Sequence, residues 1–172
     1  MDMRKLTVMV VSTALLTSAS ATFAALDDRT ADAIITACER LMADYAVYRD
    51  RLDADGWTDT FTEDAVLVLG SGTYQGRDAI LANLASRPTP AVAHLIMLTS
   101  VKITPIDETS AAGISYAIIL NGDRPVGPGD PPIQMEGITS VNVYHTEFAL
   151  TADGWRISRM ELEPVFRGPG LA

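Results

Sequence analysis

Between residues 28 and 52 the side chains Ile34, Cys38, Leu41, Tyr45, Tyr48 and Leu52 recur at steps of four and three. That spacing puts them on one face of a helix and predicts a long amphipathic helix over 28–52. Asp27 and Asp28 suit its positive N-terminal end. The segment Asp53-Ala54-Asp55-Gly56 ends it, and a short second helix is predicted at 57–61. Glu63-Asp64 then turns the chain into a strand over 65–69, and Gly70-Ser71-Gly72 reads as a turn. The run 77–87 has a helical pattern through Ile80, Leu81 and Leu84, stopped by Pro88 and Pro90.

Beyond that point the pattern changes to strands. Residues 92–106, 111–120 and 135–150 are rich in β-branched and apolar side chains. Asp153-Gly154 is a hairpin signal, and 155–165 returns as the last strand. A loop with four prolines and three glycines separates Leu120 from Met135. Helices first and long strands afterwards predict an α+β fold, a curved antiparallel sheet wrapped around N-terminal helices. Such a sheet leaves a tapering, cone-shaped cavity, whose mouth is the default place for a ligand.

The first 24 residues have a different character. Arg4 and Lys5 precede an apolar run over 6–16, and small residues follow up to Thr22-Phe23-Ala24. This is the pattern of a secretory signal peptide cleaved after Ala24, too short for a membrane span of roughly 20 apolar residues. A single domain over 25–172, exported to the periplasm or beyond, is expected. No later segment is long and apolar enough to hold the domain in a membrane once the signal is removed.

Composition narrows the partners. The 172 residues carry 13 basic and 22 acidic side chains, a net charge of −9, which argues against nucleic acid. One cysteine allows no disulfide framework, and two histidines allow no histidine-rich metal centre. Cys38 falls on the apolar stripe of the first helix and reads as a buried, inert thiol. No metal and no cofactor is expected.

Several stretches carry a resemblance. These are Leu52-Asp53-Ala54-Asp55-Gly56-Trp57, Phe61-Thr62-Glu63-Asp64-Ala65, Tyr74-Gln75-Gly76-Arg77-Asp78-Ala79-Ile80, His94-Leu95, Val143-Tyr144-His145-Thr146-Glu147-Phe148 and Asp153-Gly154-Trp155-Arg156-Ile157. In order and spacing they resemble the SnoaL-like branch of the nuclear-transport-factor-2-like superfamily, over nearly all of the predicted mature chain. The fold hosts many activities. Its scytalone dehydratase and dehydrochlorinase members use a cavity Asp–His pair, and the resemblance puts Asp53 and His94 at those two positions. It also implies a homodimer formed through the open face of the sheet, on strands 135–150 and 155–165. The sequence departs from scytalone dehydratase in having Leu52, not tyrosine, directly before Asp53. It offers no evident basic residue near Ala149-Leu150 where the dehydrochlorinase has one.

The pair makes chemical sense. An imidazole accepts protons well near neutral pH, and a carboxylate on its other nitrogen fixes the tautomer. Such a pair could drive elimination or isomerisation of a small apolar molecule without a cofactor. The expected geometry is a carboxylate oxygen about 3 Å from an imidazole nitrogen, facing a cavity. Tyr48, Trp57, Tyr116 and Asn142 are candidate substrate contacts. The residue pattern alone leaves three alternatives open. Asp53 can equally be a turn residue bonded to backbone, His94 can be a strand-end histidine partly in solvent, and the domain can be a binding or assembly module without catalysis.

Overall fold

In the computed structural model the structure describes residues 26–86, 93–122 and 129–168. The predicted signal peptide, the helix-stopping Pro88 and Pro90, and residues 123–128 of the predicted loop lie outside them.

The leading helix, α1 (Asp28–Asp50), begins where Asp27 turns its carboxylate back onto Thr30, accepting from the backbone N at 3.0 Å and from Oγ1 at 2.7 Å. This satisfies an amide that the helix leaves without a partner. Its buried stripe is Ile34, Cys38, Met42, Tyr45, Ala46 and Arg49. Cys38 has no exposed surface, and burial pushes its thiol pKa up to about 12.

α1 ends two residues before the predicted Leu52. Leu52 takes a left-handed conformation (φ 58°), the Leu52 N–H donates to Arg49 O, and the Asp53 N–H donates to Tyr48 O at 2.9 Å. These are the two bonds of a Schellman stop, with leucine where glycine is usual. Asp53 then caps the next helix, α2 (Ala54–Asp59), accepting from Gly56 N at 2.9 Å. The short helix therefore starts three residues earlier than predicted. Its place at 57–61 is taken in part by β1 (Phe61–Leu69), which also starts earlier than its predicted 65.

β1 turns through the Gly70-Ser71-Gly72 bend into β2 (Gly72–Gln75), then α3 (Arg77–Ser86) follows. Arg77 ties that helix down, donating from Nε and Nη2 to Phe61 O and from Nη1 to Asp59. The long strands are β3 (His94–Pro105), β4 (Ser110–Gly122), β5 (Met135–Thr151) and β6 (Gly154–Arg167). The sheet order is β2-β1-β6-β5-β4-β3. All pairs are antiparallel except β1 with β6, which is parallel, so the curved sheet is mostly antiparallel, as expected. Register shifts in β3, β4, β5 and β6 mark bulges that bend an otherwise flat sheet. The bent sheet covers α1, and the core lies between them.

Candidate active site

The C-terminal part of α1, residues of α2 and α3, and the inner face of the sheet line a cavity of about 240 Å³. This is the small end of the range for ligand pockets, ~300–1,000 Å³. Tyr45 and Arg49 come from α1, Trp57 from α2, and Asn83 and Leu84 from α3. The sheet adds Leu67, Leu69, His94, Ile96, Ile119, Ser140, Asn142, Tyr144 and Leu162. Strand alternation explains the sheet residues. On β5 Ser140, Asn142 and Tyr144 share a face, and Val141, Val143 and His145 take the other. The aromatic part is tightly knit. The Tyr45 ring centroid lies 5.8 Å from that of Trp57 and 6.3 Å from that of Tyr144.

His94 opens β3 and stands at the cavity wall. Its Nδ1 lies 3.5 Å from Oδ1 of Asp50, the last residue of α1. Asp50 is itself fixed, because both its oxygens accept from the Ile96 amide, at 3.0 and 3.1 Å. The carboxylate thus bridges helix and sheet. Nδ1 is buried and makes no hydrogen bond; at 3.5 Å the Asp50 carboxylate is within electrostatic reach of the ring. His94 also borders a second, more apolar pocket of about 280 Å³, on the side of Leu95, Leu120, Ile133 and Met135.

The structure does not bring Asp53 to His94. Asp53 is spent on the α2 cap, and Asp50 holds the position expected of it. In an unbroken helix residues three apart share a face, but α1 stops at Asp50 and the left-handed Leu52 turns Asp53 away onto the α2 cap. The residue directly before the paired carboxylate is therefore Arg49, not Leu52. Arg49 is 9% exposed and lines the cavity. Sequence reasoning missed both, although Arg49 lies four residues beyond Tyr45 on the buried stripe.

The other candidates divide. Trp57 and Asn142 line the cavity, and Asn142 Nδ2 donates to Ser140 Oγ at 3.0 Å. Tyr48 packs at the margin of the core beside Gly56 rather than in the cavity wall. Tyr116 is 48% exposed on the opposite face of β4, because Ser115 and Ala117 take the inward positions. His145 is on that outer face too, with Nε2 3.1 Å from Glu163. Among the described residues no group of three or more His, Cys, Asp or Glu is arranged to hold a metal. Nor is any helix among them long and apolar enough to cross a membrane.

No curated protein matches the chain. Among solved structures, hexachlorocyclohexane dehydrochlorinase LinA-type3 from Novosphingobium barchaimii superposes with a TM-score of 0.67 at 17% identity, covering 83% of this chain and 93% of that one. A protein named provisionally as a scytalone dehydratase, from Novosphingobium aromaticivorans, gives 0.65 at 21% identity, covering 81% and 89%. An NTF2-like protein with a cystatin-like fold from the same species gives 0.61 at 23%, covering 78% and 83%. At these identities the likeness is one of fold. The model of the SnoaL-like domain matches residues 29–161, and the chain belongs to that family.

Proposed function

We propose that this protein is a cofactor-independent lyase or isomerase that removes a proton from carbon, with His94 as the base and Asp50 as the carboxylate that orients it. The observation that carries the reading is the Asp50 oxygen 3.5 Å from His94 Nδ1 at the wall of a cavity. With the Nδ1 proton directed at the carboxylate, Nε2 keeps a lone pair for the substrate. Nε2 takes the proton, and the C–H electron pair becomes a carbon–carbon double bond. In elimination a leaving group departs from the neighbouring carbon with its own electrons. In isomerisation the π electrons of a conjugated carbonyl move onto its oxygen as an enolate, and as they return the imidazolium delivers the proton to a different carbon. Asp50 stabilises the imidazolium in between. Fold neighbours named as a dehydrochlorinase and, provisionally, a dehydratase support an elimination.

The test is deuterium uptake by NMR in D2O, over a panel of small carbon acids with and without a β leaving group. Wild type is expected to exchange or eliminate at least one, and His94→Ala to do neither while keeping its melting temperature. A wild-type protein inert toward every compound it binds would leave a binding module, the alternative reading.

Two further parts of the proposal rest on other observations. The N-terminal pattern of residues 1–24 supports export. The outer sheet face supports a homodimer. Leu95, Met97, Ile114 and Tyr116 are each exposed there by 39–48%, on adjacent strands, and form an apolar patch. On β5 and β6, the hairpin expected to form the interface, Ile138, Leu150, Val165 and Phe166 are exposed as well, by 44–65%. Sedimentation of wild type against Tyr116→Glu checks it, with a dimer expected to become a monomer.

A further inference from the structure

We infer that two copies of this chain pack outer face to outer face about a twofold axis running along the strands, between β4 and β5. Met97 then meets the partner's Phe166, and Lys102 meets the partner's Glu161. The inference deepens the homodimer reading of that face and rests on it.

The strand register lays the outer face out in rows. One row crosses four strands through Met97, Ile118, Val141 and Phe166. The next holds Thr99, Tyr116, Val143 and Glu163. A third holds Lys102, Ile114, His145 and Glu161, and Ala112, Glu147 and Arg159 follow. The face is therefore apolar at one end and charged at the other, and the change runs along the strands. Four strands of 12 to 17 residues make a face of roughly 20 by 40 Å, at ~4.8 Å between strands and ~3.3 Å per residue. That matches the ~800 Å² per partner of a standard stable interface.

A twofold contact is reciprocal, so one patch must complement itself. An axis across the strands would lay the charged end of one copy on the apolar end of the other and bury charge without a partner. An axis along the strands keeps like ends together. Between β4 and β5 it sets β3 over the partner's β6, and β4 over the partner's β5. Ile118 then faces the partner's Val141, and Tyr116 faces the partner's Val143. In the charged rows Lys102 faces the partner's Glu161, Thr99 faces the partner's Glu163, and no carboxylate faces another. This matters in a chain of net charge −9, whose copies repel at a distance.

A hollow supports the same placement. Leu95, Leu120, Ile133 and Met135 line an apolar pocket of about 280 Å³ next to the Met97 row. Phe166 is 65% exposed, and the axis brings the partner's Phe166 to that corner. An aromatic ring seated in an apolar pocket is the usual anchor of an interface. His94 borders this hollow as well as the cavity, so the contact braces the strand end that carries His94.

Cysteine cross-linking tests the axis. Met97→Cys/Phe166→Cys, oxidised with copper phenanthroline, is expected to run as a covalent dimer on a non-reducing gel. Within one copy these positions lie three strands apart, roughly 14 Å, too far for a disulfide. Either single variant should stay monomeric on the gel, because neither position faces itself and Cys38 is buried. Sedimentation tests the charges. Lys102→Glu and Glu161→Lys should each raise the dimer dissociation constant about tenfold, and the two together should return it to within about threefold of wild type. A wild-type dimer whose double-cysteine variant fails to cross-link, or whose charge swap fails to recover, would overturn this arrangement and leave the homodimer. A wild-type protein that sediments as a monomer at every concentration would remove the homodimer and this arrangement with it.

Discussion

Asp50 and His94 meet where the end of a helix touches the first residue of a strand, 3.5 Å apart, with the carboxylate anchored by the Ile96 amide. The anchor makes the contact specific. A carboxylate already holding a strand amide cannot swing away from the ring that opens the same strand.

Asp50→Asn tests that relationship. The amide side chain keeps an acceptor for Ile96 N–H but removes the negative charge and can present a donor to the ring. We expect the neutral His94 ring to lose its Nδ1–H preference, seen in the long-range 1H–15N spectrum of the imidazole. On any substrate that wild type turns over, kcat should fall by about 10²–10⁴. An unchanged tautomer would remove Asp50 from the site.

Asp53→Ala separates the two neighbouring acids. Its carboxylate caps α2 through Gly56 N, so the loss should be one of stability, about 1 kcal/mol, with Asp53→Asn largely restoring it. Urea melts measure this. The His94 imidazole spectrum should stay as in wild type.

Gly113 is a packing requirement of the sheet. A Cβ there would lie 2.9 Å from Ile103 Cδ1 and 2.9 Å from the Phe148 ring, which is itself buried. The isoleucine tip can give way, but the ring cannot move without shifting β5. Gly113→Ala should cost about 1–3 kcal/mol, read as a lower urea midpoint at unchanged slope.

Cys38 reports on folding. Its thiol is raised from an ordinary 9.0 to about 12 by burial. In the folded state it should resist a disulfide reagent at pH 8 and react fully in denaturant. The raised value also sets a sign. The unfolded thiol ionises first as pH climbs past 9.0, so stability is intact below that value and falls between it and about 12. Cys38→Ala should flatten this alkaline decline in melting temperature relative to wild type.

Local pattern carried much of the architecture. The steps of four and three through Ile34, Cys38 and Tyr45 are buried as a helix face must be, and β4, β5 and β6 fall close to their predicted spans. The strand itself was legible as an apolar and β-branched run expected over 92–106, while His94 as its opening residue came from the family resemblance. The stop of α1 was less so. Asp53 and Asp50 lie three residues apart in one polar run, and a leucine in the left-handed conformation gives no sequence signal where a glycine would.

Residue periodicity by itself determined that helices precede strands and that Ile34, Cys38 and Tyr45 of α1 are buried, because each depends only on neighbours in the chain. Tertiary structure decided the rest. The parallel meeting of β1 with β6, the outward turn of Tyr116, the gathering of Arg49 and Trp57 around one cavity, and the choice of Asp50 as the acid facing His94 are set by the tertiary structure. Such contacts are set by where a helix stops and how a sheet bends, and an error of three residues at a helix end is enough to exchange one carboxylate for another.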